Sequence, residues 1–600
     1  MKKDGMKKDG VIRSRRKFIK KLGGAALGAA AVSSAPMIGC SNRASATEWA
    51  STYDWICVGS GIEGSMQAAI YGHDLGLKTL LIEETALLGR EAIHGLFYVP
   101  MNHLMKEAGI ADSRDEALSW FRYIGGGYNS SEFIEAFVDN APRAVEYLHK
   151  KADVKFRICP APDFWTPLSE GGFRYREDIS VGYKKLGRSL TVEPFPAETL
   201  GNWRNKIRLP ETYDHIGEVL EGQEHNPSLG LVSKGALLGP HVGHWGPLRG
   251  VDSTALRLWR KRLGSAKLDA LLKKDEEEFV AGAAEAAYML RAMIQRGIEV
   301  RTETSAERLL VENGRVVGMV VNHGGKEESI KANRGILMGT GAGGGVEGWR
   351  LVACVGGEVV SEVGVPGGLT SFQVVEAPGI TGSRGSNYEQ RMRHSMLVNR
   401  FGERFANEEA YQGTERLLYF DALGEHRFRN IPSYFIFDQN LIEKYSFAGR
   451  PPGETEGLEW LAQGRTIVEL AQKLNLPAAK LEATVARFNE NARSGRGDSD
   501  FHRSAHTMRP LEKPPFYGVQ AHKPDTNPLR GSISVITDTQ GQVIHHRTKK
   551  PIPGLYAYTP LTNDQGRLSG MGYNAGLHTM EGITFALLSA EHAASKRLTV

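Results

Sequence analysis

Cysteine is scarce in this chain of 600 residues, and its four copies form no metal or haem signature. They are Cys40, Cys57, Cys159 and Cys354. Because neither C-x-x-C nor C-x-x-C-H occurs, the sequence excludes a haem c held by its own cysteines, a zinc knuckle and a cysteine-ligated cluster. His241 and His244 have H-x-x-H spacing but no obvious third ligand, so we expect no metal site.

Two further features are missing from the body of the chain. No run of ~18 apolar residues, which a membrane-spanning helix needs, follows the N-terminal region. Residues 1–46 hold 11 Lys and Arg against 2 Asp and Glu, whereas the rest holds 63 against 67, a net charge of −4. We therefore expect a body that does not span a membrane and offers no electrostatic reason to bind nucleic acid.

The first 46 residues are typical of an export signal rather than of a folded domain. Residues 14–20 (SRRKFIK) match the twin-arginine signal, and an apolar stretch follows at residues 22–39. Cleavage after Ala46, lipidation at Cys40 and an uncleaved anchor are all open. We expect export by the twin-arginine pathway and a protein that is periplasmic or tethered to the outer side of the cytoplasmic membrane.

The strongest signal lies in residues 55–83. Residues 55–58 (WICV) predict a buried parallel strand, residues 59–64 (GSGIEG) fit G-x-G-x-x-G, and residues 79–82 (TLLI) predict a second strand. A helical segment connects the two, and Glu83 follows the second strand. Strand, glycines, helix, strand and acid in this order predict a dinucleotide site.

The residues of this unit have separate physical tasks. Gly59 allows a tight turn, Gly61 lets the backbone approach a pyrophosphate, and Gly64 lets the helix pack close to the strand. The helix N-terminus offers N–H groups and a positive dipole end to the phosphates. Glu83 is placed to accept from ribose hydroxyls.

Three more positions complete the predicted cofactor loop. Ser60 lies inside the fingerprint, and Gly89 and Arg90 follow the second strand, where a loop would cover the pyrophosphate. We include all three in the cofactor site.

Local sequence patterns predict the secondary structure of several later segments. Residues 276–297 predict an amphipathic helix, and residues 312–315 (ENGR) predict a hairpin turn between two apolar strands. Residues 336–343 (ILMGTGAG) predict a strand that runs into glycines, and residues 580–595 predict a final helix. Residues 155–250, rich in Pro, Gly and aromatics, are irregular, which is typical of a segment that lines a site.

Taken together, residues 52–597 resemble the flavoprotein family of fumarate reductases and 3-ketosteroid dehydrogenases. The shared marks are the fingerprint with Glu83, the strand at 336–343, N-x-x-G-x-R-F-x-N-E at 399–408 and PIPGLYA at 551–557. Stretches specific to the 3-ketosteroid 1-dehydrogenase branch are PDFW, EGG, GRS and EP within 162–194, and GYNAG at 572–576.

The resemblance implies an α/β fold, α+β overall. It consists of a discontinuous Rossmann-like FAD-binding domain with an inserted α+β catalytic domain. The expected boundaries are residues 1–46 for the signal, 47–345 and 525–600 for the FAD-binding domain, and 346–524 for the catalytic domain. FAD is the implied cofactor. We expect it to be bound non-covalently, although His94 lies near the position of covalent attachment.

The resemblance also implies roles for single residues. Tyr573 and the N–H of Gly576 match the pair that holds the substrate's C3 carbonyl, and Tyr411 is the candidate base for the C2 proton. Further implied flavin contacts are Ala306, Thr340, Gly341 and Gly576. Removing a proton beside a ketone needs an oxyanion stabiliser, which a phenol and a backbone N–H can supply.

The implied activity is dehydrogenation of a 3-ketosteroid or related cyclic ketone, by proton abstraction beside the carbonyl and hydride transfer to flavin N5. The alternative is the same architecture working as an enone or enoate reductase. A non-enzymic electron carrier is a third reading. The electron partner would be a quinone or a cytochrome.

Two departures from the family pattern stand out. Gln412 occupies the position of the acid arginine of fumarate reductases, so a dicarboxylate substrate is not expected. Residues 558–560 (YTP) stand where the family usually has Ala-Gly and a polar flavin contact.

Overall fold

The fold is taken from a computed structural model. It describes residues 48–61, 64–89, 95–159, 182–184, 186–209, 253–340, 348–363, 371–373, 383–385, 392–408, 420–421, 424, 426–445, 447, 450–501, 503, 505, 507–522, 531–558, 568 and 576–600.

Strands and helices are mixed along this part of the chain. The strands, numbered in chain order, are β1 (Ser51–Val58), β2 (Thr79–Ile82), β3 (Leu96–Tyr98), β4 (Phe156–Ile158), β5 (Ser189–Val192), β6 (Phe195–Pro196), β7 (Glu278–Phe279), β8 (Glu299–Arg301), β9 (Thr304–Glu312), β10 (Arg315–His323), β11 (Lys326–Met338), β12 (Val359–Val363), β13 (Ser371–Gln373), β14 (Ser383–Gly385), β15 (Ser395–Asn399), β16 (Phe420–Asp421), β17 (Arg427–Phe428), β18 (Ser433–Asp438), β19 (Ala462–Gly464), β20 (Phe516–His522), β21 (Gly531–Val535), β22 (Gln542–Ile544) and β23 (Pro551–Ala557). The helices are α1 (Ser65–Asp74), α2 (His103–Glu107), α3 (Arg114–Gly125), α4 (Ser131–Lys151), α5 (Ser253–Leu263), α6 (Ser265–Glu277), α7 (Ala281–Gln295), α8 (Gly348–Cys354), α9 (Gln439–Lys444), α10 (Ile467–Lys473), α11 (Ala478–Ser494) and α12 (Leu577–Ala594), with a 3-10 helix at Ala197–Lys206.

A large sheet forms the centre of the fold. Five of its strands are parallel, in the order β23-β11-β1-β2-β8, and β22 pairs antiparallel with β23 at one edge. Strands β9 and β10 form an antiparallel extension on the first half of β11. The predicted α/β fold is therefore confirmed, and the C-terminal strand β23 returns to the sheet begun by β1.

The alternation of side chains along β1 separates two hydrophobic cores. Trp55 and Cys57 face the layer built by α1, α7 and α12, whereas Ile56 and Val58 face β9, β10 and α8. Because other elements cover both faces of the central sheet, the C-terminal ends of its central strands carry apolar side chains on both faces. This is usual for parallel strands.

The hairpin between β9 and β10 forms where the sequence predicts it. Asn313 and Gly314 have φ values of 49° and 77°, the left-handed values that both centre residues of a type I′ turn require. The helix predicted from residue 276 is confirmed as α7, but it begins at Ala281 because Glu278 and Phe279 form β7. The predicted final helix is confirmed as α12, which begins at Leu577.

A second, four-stranded antiparallel sheet has the order β15-β18-β20-β19. Its two faces carry separate apolar clusters, one with α9 and one with α10 and α11. The predicted domain boundaries at residues 345 and 524 stay a prediction.

A small antiparallel sheet, β3-β5-β4, connects to the start of α12. It matters for the site because Tyr98, the last residue of β3, donates its N–H to the carbonyl of Gly576. In the part of the chain that the structure describes, no helix combines the length and the apolar character needed to cross a bilayer.

Candidate functional site

The glycine loop after β1 has one crowded side and one open side. Gly59 has φ 89°, and a Cβ there would come within 3.0 Å of the Gly339 carbonyl oxygen. At Gly61 a Cβ would meet only that same oxygen, at 4.0 Å, among the described residues. Gly59 therefore fits a tight turn against the residue that follows β11, whereas the approach of a pyrophosphate to Gly61 stays a prediction.

The third fingerprint glycine has a different neighbour from the one expected. Gly64 has φ 127°, and a Cβ there would lie 2.6 Å from the carbonyl oxygen of Gly582 and 2.8 Å from Cε2 of Tyr558. The predicted close packing of helix on strand is thus better described as packing of the α1 start on α12 and on the residue after β23.

Tyr558 explains why this packing is so close. Its side chain is buried, and its hydroxyl lies 2.5 Å from Oγ of Ser65, the first residue of α1. Gly339 leaves room for both hydroxyls, because a Cβ there would overlap them. The tyrosine that departs from the family pattern therefore fills the space beneath the glycine loop.

The carboxylate of Glu83 connects the fingerprint to the loop after β2. Its Oε2 accepts from Ser60 N at 2.9 Å and from Ser60 Oγ at 2.7 Å, and its Oε1 accepts from N and Oγ1 of Thr85, both at 2.9 Å. Gly89 N donates to Ser60 Oγ at 3.0 Å. The structure thus brings together Ser60, Glu83 and Gly89, as the sequence predicts.

Arg208, which belongs to no motif of the sequence, also joins this network. Its Nε donates to the Gly89 carbonyl at 3.0 Å, and its Nη2 donates to Thr85 Oγ1 at 2.8 Å. Because Arg208 is more than 100 residues from both partners in sequence, no local pattern signals this contact. Arg90, the predicted basic residue of the loop, lies outside the described residues.

The residues present fit a dinucleotide. Thr340 Oγ1 is buried without a hydrogen-bond partner among the described residues, which suits a polar ligand. Helix α1 begins with no side-chain cap and no acid in its first turn, so its N–H groups and dipole can receive phosphates. Ala306 lies on β9, two residues beyond Thr304, whose N–H donates to the Glu83 carbonyl. Gly341 lies outside the described residues.

Gly576 forms the start of α12 and is held by backbone alone. It has φ 80°, its carbonyl accepts from Tyr98 N at 3.1 Å, and a Cβ would lie 2.7 Å from Leu96 C and Phe97 N. No side-chain hydrogen bond caps this described helix start. The first N–H groups of any helix lack intrahelical acceptors and lie at the positive end of its dipole.

Gly576 and the glycine loop lie at the same end of α12. Gly582, which touches Gly64, is six residues beyond Gly576, a distance of about 9 Å along a helix. A dinucleotide on the fingerprint and a carbonyl at Gly576 would therefore be close neighbours.

The two predicted catalytic tyrosines, Tyr573 and Tyr411, lie outside the described residues. The chain before Tyr411 is anchored by a buried ion cluster. Arg404 donates twice to Glu408, at 2.8 and 2.7 Å, and once to Asp498, while Arg503 donates to Glu408 at 3.4 Å. Burial raises the pKa of Glu408, but the charges and hydrogen bonds of the two arginines outweigh it and leave this pKa below its ordinary value.

Together, the fold and the site define a dinucleotide-binding oxidoreductase of the flavoprotein type. The sequence profile of the family described as FAD binding domain matches residues 54–558, so this chain belongs to that family. FAD is its cofactor, and it is an FAD-dependent oxidoreductase related to 3-ketosteroid dehydrogenases.

Two characterised relatives match most of the chain. A 3-oxosteroid 1-dehydrogenase from Mycolicibacterium smegmatis is 27% identical over 521 residues, which cover 79% of this chain and 83% of that protein. A 4-oxocyclohexanecarboxylate 2-dehydrogenase from Sinomonas cyclohexanicum is 27% identical over 591 residues, covering 88% and 92%.

One solved structure shares the fold over nearly its whole length. The 3-ketosteroid delta1-dehydrogenase from Sterolibacterium denitrificans, solved in complex with 1,4-androstadiene-3,17-dione, superposes with a TM-score of 0.69. It is 23% identical, and the match covers 91% of this chain and 99% of that one.

Proposed function

We propose that this protein dehydrogenates a 3-ketosteroid or a related cyclic ketone, introducing a double bond into a CH–CH group next to the ring carbonyl. In this proposal Tyr573 and the N–H of Gly576 hold the carbonyl oxygen, and Tyr411 removes the adjacent proton. Bound FAD supplies the hydride acceptor.

The observation that carries the proposal is the start of α12. Loss of a proton beside a ketone places negative charge on the carbonyl oxygen, and that charge needs preorganised donors. Gly576 begins a helix without a side-chain cap, and the helix dipole favours an anion at this end. The backbone of β3 fixes the position of Gly576, since even a methyl group there would overlap Leu96 and Phe97.

The relatives support a cyclic ketone rather than a dicarboxylate. One is named for a 3-oxosteroid and the other for a 4-oxocyclohexanecarboxylate, and both names describe dehydrogenases of a ring that carries an oxo group. Gln412 agrees with this choice, because a dicarboxylate clamp needs charge-assisted donors.

The test is a substrate panel with an artificial electron acceptor. We expect turnover of a saturated-ring 3-ketosteroid or of 4-oxocyclohexanecarboxylate, with the product carrying one new double bond by mass spectrometry, and no turnover of succinate. The opposite result, reduction of enones by the dithionite-reduced enzyme with no dehydrogenation in the forward assay, would favour the reductase alternative.

We also propose that the protein is exported by the twin-arginine pathway. The support is the SRRKFIK segment at residues 14–20, followed by an apolar stretch. A quinone or a cytochrome would then reoxidise the enzyme outside the cytoplasm. Cleavage after Ala46 would release the protein into the periplasm, whereas lipidation at Cys40 would tether it to the membrane.

A further inference from the structure

A buried ion pair lies behind the small sheet that contacts Gly576. Arg188 donates from Nε to Asp112 Oδ2 at 2.8 Å and from Nη2 to Asp112 Oδ1 at 2.6 Å, and the two side chains are 0% and 1% exposed. A bidentate arginine–carboxylate pair of this kind fixes the relative orientation of the two side chains as well as the distance between them. Arg188 belongs to the GRS motif at residues 187–189, for which the proposed reaction has no direct use.

The ion pair holds the chain that leaves β3. Asp112 Oδ2 accepts from Met101 N at 2.9 Å, and Met101 has φ 53°, a left-handed value that is unfavourable for methionine. Such a conformation persists only where the surroundings enforce it. The carbonyl of Arg188 also accepts from Val99 N at 2.7 Å, so the backbone of Arg188 binds the same segment.

Arg188 also contacts β3 itself. Arg188 Nη1 lies 3.4 Å from the Tyr98 hydroxyl, and Tyr98 pairs with Ser189 in the adjacent strand. The N–H of Tyr98 then donates to the carbonyl of Gly576. A continuous set of hydrogen bonds therefore runs from Asp112 through Arg188 and Tyr98 to Gly576.

We propose that the Asp112–Arg188 pair is a positioning device, which sets the location of the Gly576 N–H through β3. The catalytic part of this inference rests on the proposed function, because only there does Gly576 hold a carbonyl. A displacement of about 1 Å in a group that orients a substrate can cost ~10²-fold in rate. The pair itself would touch neither the substrate nor the cofactor.

The test replaces Arg188 by lysine. Arg188→Lys keeps the positive charge opposite Asp112 but loses the two-pronged geometry. We expect the N–H of Tyr98 and the first turn of α12 to exchange with deuterium about tenfold faster in the FAD-loaded protein. We also expect kcat for the ketone to fall by roughly 10²-fold, with KM and the FAD dissociation constant within about twofold of wild type.

A matched control comes from the other end of α12. Arg143 makes a similar two-pronged pair with Glu591, at 2.5 and 3.0 Å, about 22 Å along the helix from Gly576. Arg143→Lys should change neither the exchange of Tyr98 nor kcat. If Arg188→Lys does not fold, the double variant Asp112→Leu/Arg188→Met removes both charges together, a change that buried pairs often tolerate.

The outcomes separate the inference from the proposed function. Unchanged exchange at Tyr98 in Arg188→Lys overturns the inference, as does faster exchange with wild-type kcat. Faster exchange throughout the chain also overturns it, because the pair would then serve stability alone. A wild-type enzyme that dehydrogenates no ketone overturns the proposed function, and the exchange data still decide whether the pair holds Gly576.

Discussion

Hydrogen bonds fix the carboxylate of Glu83, the residue that we expect to bind the ribose hydroxyls of the cofactor. Its carboxylate accepts four hydrogen bonds from Ser60 and Thr85, two of them from hydroxyls. Hydroxyl protons can rotate, and Thr85 Oγ1 also lies 2.8 Å from the Leu87 carbonyl, an alternative acceptor. The two backbone donors would then keep the carboxylate in place while ribose hydroxyls take over from the side chains.

A substitution at Glu83 tests this role. Glu83→Gln keeps the shape but turns an N–H₂ group toward the donors and removes the negative charge. Since a hydrogen bond to a charged group contributes ~1.5–3 kcal/mol, we expect FAD affinity to fall by about 10- to 100-fold, measured by fluorescence titration of the apoprotein.

The control for this measurement is Glu299→Gln on neighbouring β8. Glu299 accepts from the Tyr53 hydroxyl at 2.6 Å and from Arg301 at 2.8 Å, away from the glycine loop. Its variant should bind FAD as wild type does. Equal affinities in the two variants would contradict the role of Glu83.

Some residues of the site were predictable and others were not, for a physical reason. Gly59, Gly61 and Glu83 belong to one local motif, whose spacing alone predicts their task. Tyr558 and Arg208 reach the same loop only through tertiary contacts, and Tyr558 lies 493 positions from its partner Ser65. One sequence contains no signal for such a pair.

In the glycine loop that leads into α1, Gly61 and Gly64 differ in what a side chain at each position would meet. Gly64 has both a left-handed φ and backbone of α12 in the way of a side chain, whereas a Cβ at Gly61 would meet, among the described residues, only the Gly339 carbonyl oxygen at 4.0 Å. We expect Gly64→Ala to lower the melting temperature of the apoprotein and Gly61→Ala to leave it within a few degrees of wild type. Gly61→Ala should nevertheless lose FAD binding, because its methyl group fills the approach to the pyrophosphate.

Thermal unfolding of the Gly64→Ala and Gly61→Ala apoproteins, followed by titration with FAD, measures both effects. The interpretation of the loop is wrong if Gly61→Ala binds FAD with wild-type affinity. Elements that follow from local turn chemistry or periodicity were predictable from the sequence, among them the hairpin at Asn313 and Gly314, helix α7 and helix α12. The contact of β3 with Gly576 was not predictable from the sequence, because it joins segments almost 480 residues apart.

The second sheet depends on the buried cluster around Glu408, and this dependence has a pH signature. Because its native pKa is lowered, Glu408 contributes stability that is complete above the ordinary carboxyl value of about 4.3 and is lost as the pH falls through the native value. Glu408→Gln should therefore destabilise the protein at pH 6, by ~3–5 kcal/mol, since it removes the negative charge that Arg404 and Arg503 share in the buried cluster.

Urea unfolding at pH 6 and pH 3 measures both effects. The free energy of unfolding of the wild type should drop more steeply between these pH values than that of Glu408→Gln. Equal drops in the two proteins would show that Glu408 does not supply the acid sensitivity.

For the whole molecule, export is the prediction that depends on the N-terminal region alone. Changing Arg15 and Arg16 together to lysine keeps the charge but removes the twin arginine. We expect the double variant to accumulate in the cytoplasm with FAD bound, as judged by cell fractionation and flavin absorbance. Export of the variant at the wild-type level would remove the twin-arginine interpretation.

The central claim is that Tyr573 and Gly576 hold a ketone oxygen while a neighbouring proton is removed. Its most direct measurement is the anaerobic bleaching of flavin absorbance by a 3-ketosteroid in wild type and in Tyr573→Phe. We expect the wild type to react and Tyr573→Phe to slow the reaction by ~10²–10³-fold, the usual cost of one oxyanion donor, with FAD content unchanged. Bleaching of Tyr573→Phe at the wild-type rate would contradict the account.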